Sequence, residues 1–140
     1  MSDSMVHRCS CRVLYGDTDA GGVVYYANYL RYFEQGRTEL MREHVMPYSL
    51  LEEQGVIMPV VECQVRYKAS AKYDDNLVIE TTVGLVKPVS CRFDYRIIRE
   101  GDGKVLVLGH TVNAAVDRNG KLVRFSKELL AGLQGCLSTS

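Results

Sequence analysis

Apolar positions along the chain follow two different periods. From about Tyr26 to Val45 the apolar residues Tyr29, Leu30, Phe33, Leu40, Met41 and Val45 recur at the three-to-four spacing of a helix, and Gly36 continues the same stripe. Arg31, Glu34, Arg37, Glu39, Arg42 and Glu43 fill much of the rest, a pattern suited to i,i+4 ion pairs on a solvated face; Glu34 lies nearest the apolar stripe. At 1.5 Å per residue this predicts a helix of roughly 30 Å, the longest element in the chain. Gly36 in its middle costs about 1 kcal/mol relative to Ala, so a small residue on the buried stripe predicts close packing against a sheet. Pro47 disfavours the α conformation at Met46 and ends the pattern.

On either side the period shortens. Val6 to Tyr15 alternates loosely and reads as an extended segment. A loop runs through Gly55, and four β-prone stretches follow: Met58 to Lys68, Leu77 to Lys87, Ser90 to Arg99, and Val105 to Asp117, the last long enough to bend or bulge around Gly109. Turn residues separate them at Tyr73-Asp74-Asp75-Asn76, Lys87-Pro88 and Glu100-Gly101-Asp102-Gly103, and Asp117 to Lys121 makes another turn. Ser126 to Leu133 predicts a short closing helix with Ser126 as its cap. One strand, one long helix and four successive strands describe an α+β fold, an antiparallel five-stranded sheet curled round a helix.

The chain has 140 residues, the size of a single domain spanning 1–140. Lysine plus arginine equals aspartate plus glutamate at 17 each, so no net charge favours nucleic acid or an anionic membrane, and an anionic ligand must be met by a local patch. Residues Met1 to Arg8 lack the apolar core of a secretory signal, and no apolar run approaches the roughly 20 residues of a membrane span, which predicts a cytoplasmic protein. Five cysteines without a C-x-x-C pair signal neither a disulfide framework nor a zinc site, and Cys9 and Cys11 share one face of the first strand as small apolar residues. His7, His44 and His110 are scattered, and nothing signals a metal or another cofactor.

The chemistry concentrates where the first strand gives way to the helix, in Tyr15-Gly16-Asp17-Thr18-Asp19-Ala20-Gly21-Gly22-Val23-Val24-Tyr25-Tyr26-Ala27-Asn28-Tyr29. Read as structure alone, Asp17 and Asp19 are turn or capping residues and the glycines are punctuation. Read as a site, the glycine pair lets the backbone approach a ligand, and the helix mouth offers unpaired N–H groups and a positive dipole end beside an acid. Residues Gly16, Asp17, Asp19, Gly22, Val23, Val24, Tyr25, Tyr26, Asn28 and Tyr29 stand at the places of a G-D-x-D-x-x-G-[hydrophobic]-V-[aromatic]-[Tyr or His]-x-N-Y signature. In this the chain resembles the hotdog-fold 4-hydroxybenzoyl-CoA thioesterase-like group, which includes the tol-pal-associated acyl-CoA thioesterases. A second stretch, Ala71 to Leu77, resembles that group's A-x-Y-D-D-x-L pattern, so the resemblance spans roughly Val6 to Asp117.

The resemblance implies a hotdog fold and hydrolysis of an acyl-CoA thioester. It makes Asp19 the catalytic carboxylate and Asp17 a structural brace, and it assigns the carbonyl oxygen to the backbone N–H of Tyr26. Many tol-pal-associated members carry His where this chain has Tyr26, which leaves that position a backbone role. Asp19 acts either as nucleophile, through a mixed anhydride, or as general base on water. Gly22, Val23 and Asn28 are expected to border the substrate, with Asn28 bonding in the turn or capping the helix. Lys68, Lys72, Lys87 and Arg92, at strand ends and turns, are candidates to meet coenzyme A phosphates; read as structure alone they are solvated gatekeepers. The family also implies a homodimer or homotetramer with its site at a subunit interface. Two other readings stand beside this one, an acyl-carrier-protein thioesterase and a non-catalytic acyl-ligand-binding module.

Overall fold

A computed structural model of the chain describes residues 5–137; the first residues of the N-terminal stretch read above for a secretory signal lie outside them. The strands are β1 (His7–Arg12), β2 (Val60–Tyr67), β3 (Asn76–Val86), β4 (Ser90–Arg99) and β5 (Val105–Ala114); the helices are α1 (Tyr29–His44), α2 (Tyr48–Glu53) and α3 (Lys127–Gly135). All five strands form one antiparallel sheet in the order β1-β3-β4-β5-β2. The alternating residues Leu77, Ile79, Thr81 and Val83 of β3 and Cys91, Phe93, Tyr95 and Ile97 of β4 are buried and make the concave face that wraps α1. This is the hotdog arrangement, and no helix among the described residues is long and apolar enough to cross a membrane.

Two glycines set how closely helix and sheet approach. A Cβ at Gly36 would collide with the Thr81 Oγ1 and lie 2.7 Å from the Ile79 Cγ2, so only glycine lets α1 settle onto β3 there. A Cβ at Gly109 would lie 2.7 Å from the Phe33 Cζ; the Phe33 ring occupies that space and stacks on Tyr95 with centroids 4.3 Å apart. Gly109 is therefore a site of close approach rather than a bulge. It pairs regularly opposite Tyr95, and the sheet's irregularities fall at Val60/Glu62, Val83/Leu85 and Ile97/Ile98.

Three further differences from the sequence reading have physical causes. The segment Tyr26–Asn28 is a 3₁₀ turn, so α1 proper has 16 residues and a length of about 24 Å. Leu30 lies on the solvent side, 43% exposed, while Tyr32 takes the buried place because its hydroxyl finds an acceptor in the interior. Residues 48–53, expected as loop, form α2, entered through Pro47 in extended conformation, and Leu51 is its buried anchor. The α3 cap is as expected, with the Ser126 Oγ accepting from the Leu129 N–H at 3.1 Å.

Candidate active site at the mouth of the long helix

The turn between β1 and α1 is built on Asp17. Only 3% of this residue is exposed, and a buried carboxylate is tolerated only when donors surround it. Its Oδ2 accepts from the Leu14 N–H (3.0 Å) and the Tyr32 hydroxyl (3.0 Å), and its Oδ1 from the Arg31 Nη1 (3.1 Å). Burial first, and then the adjoining Asp17 carboxylate, push the Tyr32 hydroxyl far above the ordinary tyrosine range, so it stays a donor. The Asp17 carbonyl accepts from the Tyr25 N–H and the Asn28 Nδ2, both at 2.9 Å. Asn28 thus bonds across the turn and does not cap the helix with its side chain.

On this floor sits a short loop. The Asp19 N–H donates to the Val23 carbonyl (2.8 Å), the Gly22 N–H to the Asp19 carbonyl (3.0 Å), and the Val24 N–H to the Ala71 carbonyl (2.8 Å). Gly22 adopts φ +81°, a left-handed conformation that favours glycine. Val23 pairs with Lys72, which carries the loop against the Ala71–Leu77 stretch. At its tip the Asp19 side chain is exposed; its Oδ1 accepts from the Gly21 N–H (2.8 Å), and its Oδ2 has no donor among the described residues.

Next along the chain comes the 3₁₀ turn. Among the described residues the N–H groups of Tyr26 and Ala27 have no acceptor, as expected at a helix start. The Tyr26 ring, 60% exposed, packs against Tyr25 (4.6 Å) and Tyr67 (6.1 Å). A cavity of about 260 Å³ opens here, lined by Val24, Tyr26, Tyr29, Tyr67 and Lys68. The turn thus sets an exposed carboxylate and two open amides in one loop, the parts needed to attack a carbonyl and hold its oxygen.

The remaining candidates divide. Lys68 borders this cavity, while Lys87 and Arg92 line another, of about 290 Å³, at the far end of β3 and β4. The register shows the separation: Tyr67 lies level with Val107, Ile97 and Ile79, near the start of β3, whereas Lys87 follows its end. Within one chain Lys68, Lys87 and Arg92 do not form a single patch, and Arg92 is paired with Asp94 (Nε to Oδ1, 3.0 Å). Glu34 is exposed and, with Arg37, borders two clefts beside α1. The thiols of Cys9 and Cys11 are pushed up to about 11 and that of Cys91 to about 12, in each case chiefly by burial, which leaves them apolar packing groups. Among the described residues no group of three His, Cys, Asp or Glu side chains could hold a metal ion.

Sequence reasoning missed Arg31 and Tyr32 as Asp17 partners and the hydroxyl of Tyr67, which donates to the Tyr26 carbonyl at 3.0 Å. Arg31 and Tyr32 follow the signature directly, so a hydrogen-bond account of a buried Asp17 would have pointed to them. Tyr67 lies 41 residues from its partner, and no local signal marks it.

Comparison with known proteins bears on this geometry. The profile of the thioesterase-like superfamily matches residues 13–133. The chain is similar to an acyl-CoA thioesterase YbgC of Haemophilus influenzae, 42% identical over 123 residues that cover 86% of this chain and 88% of that protein. Its structure is similar to that of a hypothetical protein from Aquifex aeolicus (TM-score 0.85, 30% identity, covering 91% of this chain and 98% of the other). The fold also matches a 4-hydroxybenzoyl CoA thioesterase variant complexed with 4-hydroxybenzoyl CoA (TM-score 0.83, 20% identity, 91% and 98% covered).

Proposed function

The chain belongs to the thioesterase-like superfamily, and we propose that it hydrolyses acyl-CoA thioesters through the Asp19 carboxylate, with the Tyr26 amide holding the carbonyl oxygen. The observation that carries this reading is the presence, at the two ends of one loop, of a carboxylate oxygen without a donor and an N–H without an acceptor among the described residues. As nucleophile, Asp19 attacks the carbonyl carbon, the thiolate of coenzyme A leaves, and water then cleaves the mixed anhydride. As base, it takes a proton from the water that attacks. In either route negative charge grows on the carbonyl oxygen, where a preorganised donor is worth about 10²–10³ in rate.

Asp19→Asn should lower kcat by at least about 10² on acyl-CoA substrates of short, long and aromatic acyl groups. Wild-type rates in that variant would remove Asp19 from the mechanism. Single turnover in ¹⁸O-water identifies a mixed anhydride that water opens at the Asp19 carbonyl carbon, because ¹⁸O then enters the Asp19 side chain and the product acid carries an enzyme oxygen, which the general-base route does not give. Trapping of the anhydride with hydroxylamine detects it when water attacks the acyl carbon instead. Equal acyl groups offered on coenzyme A and on acyl carrier protein decide the carrier, and tight binding without thiol release would indicate a binding module instead.

The active form is a homodimer or homotetramer, working in the cytoplasm. β2 supports the assembly: it is a long edge strand, exposed along almost its whole length, and its Val60, Val61 and Cys63 side chains are open to solvent. Two-fold antiparallel pairing of β2 with a second copy would set the Lys87–Arg92 end of one sheet beside the Asp19–Lys68 end of the other. Sedimentation should return two or four times the 15.7 kDa chain mass. A monomer at micromolar concentration with full activity would refute the assembly.

A further inference from the structure

The Tyr26 carbonyl accepts from two donors. One is the Tyr29 N–H at the start of α1; the other is the Tyr67 hydroxyl, 3.0 Å away at the last residue of β2. The peptide unit that carries this oxygen also carries the Ala27 N–H, which, like the preceding Tyr26 N–H, has no acceptor among the described residues. A peptide is planar with its C=O and N–H opposed, so fixing the oxygen on one side aims the N–H to the other. Hydrogen bonds to an amide oxygen also polarise the amide and strengthen its N–H as a donor.

We propose that Tyr67 is a positioning residue for thioester hydrolysis: its hydroxyl fixes and polarises the Tyr26–Ala27 peptide, so that the Ala27 N–H joins the Tyr26 N–H in holding the carbonyl oxygen. This rests on the role given above to the Tyr26 amide and adds a second donor and the group that holds it. The helix start lacks any side-chain cap, so nothing else from outside α1 grips this peptide among the described residues. The Tyr67 ring lies against Tyr26 (6.1 Å, 82°) and Tyr29 (5.6 Å). Those contacts survive removal of the oxygen, which makes Tyr67→Phe a narrow test.

Tyr67→Phe should lower kcat about tenfold, with KM within about twofold of wild type and the melting temperature and oligomeric state unchanged. Fluorotyrosines placed at position 67 and assayed below their ionisation pH should raise kcat in step with phenol acidity, a trend that a merely structural hydroxyl would not produce. Wild-type kcat in Tyr67→Phe, a loss that only tracks a lower folded fraction, or a flat fluorotyrosine series would each overturn the proposal. Asp19→Asn assayed in parallel keeps the two readings separate. An inactive Asp19→Asn beside a fully active Tyr67→Phe overturns the role of Tyr67 alone, whereas a fully active Asp19→Asn overturns the role of Asp19.

Discussion

Asp17 and Asp19 stand two positions apart on one turn, yet the floor that holds the first and the rim that carries the second are built on opposite terms. Asp17 is buried and accepts from Leu14, Arg31 and Tyr32, three donors drawn from the segment after β1 and from α1. Asp19 lies in solvent and accepts from one neighbouring amide. A carboxylate enclosed by donors is held in one place with its lone pairs engaged, which suits it to fix chain geometry and unsuits it to attack. A carboxylate with a free oxygen contributes little to stability and keeps its bonding capacity for a ligand. The doubled acid of the signature therefore divides by environment: one side chain is locked into the turn by its donors, and the other stands open at the rim, which is what the role proposed for Asp19 requires.

The largest effect that would sharpen this contrast is on stability at the floor. Asp17→Ala leaves the buried Tyr32 hydroxyl and the part-buried Leu14 N–H without their acceptor, and it removes the partner of Arg31. Urea denaturation should show a loss of about 3 kcal/mol. A loss below about 1 kcal/mol would show that the floor does not depend on its carboxylate and would break the contrast.

A smaller effect belongs to the link between floor and rim. Gly22 holds φ +81°, and nothing lies within 4 Å of where its Cβ would be, so Gly22→Ala tests backbone conformation free of any steric clash. The expected cost is about 1 kcal/mol, with a larger proportional loss of rate because the Asp19 loop shifts. An unchanged melting temperature and rate would show that the loop does not need that conformation.

How much of this was legible in the sequence follows from the range of each interaction. The strands and the long helix were readable because periodicity is local, and the antiparallel sheet followed from their order. Gly36 was readable too, since a glycine in the middle of a buried helical stripe sacrifices stability unless a neighbour needs the space. Helix α2 was not, because six residues are too few to establish a period. The stripe pattern passes over Tyr32 and puts Leu30 on the wrong side, because the preference of that tyrosine for the interior depends on an Asp17 oxygen 15 residues away. Lys68, Lys87 and Arg92 look alike as basic residues at strand ends. Only the register reveals that Lys68 lies at one end of the sheet and the other two at the opposite end. At the turn itself the signature marks both acids, and the burial that separates Asp17 from Asp19 emerges only in three dimensions.

The smallest expected effect is the most discriminating. Asp19→Asn keeps an oxygen in place to accept from the Gly21 N–H, so the tight turn that the side chain makes over its own backbone persists while the charge is lost. An exposed side chain with one such bond should change stability by no more than about 0.5 kcal/mol. Joined to a large fall in kcat, that result places the effect of Asp19 in the reaction and not in the fold. If the variant instead lost stability on the scale of Asp17→Ala, the rim would be part of the scaffold, and its slower turnover would measure a displaced loop. Measuring the two substitutions side by side, each for both rate and stability, asks whether one acid fails in the fold and the other in the reaction, as the proposed role of Asp19 predicts.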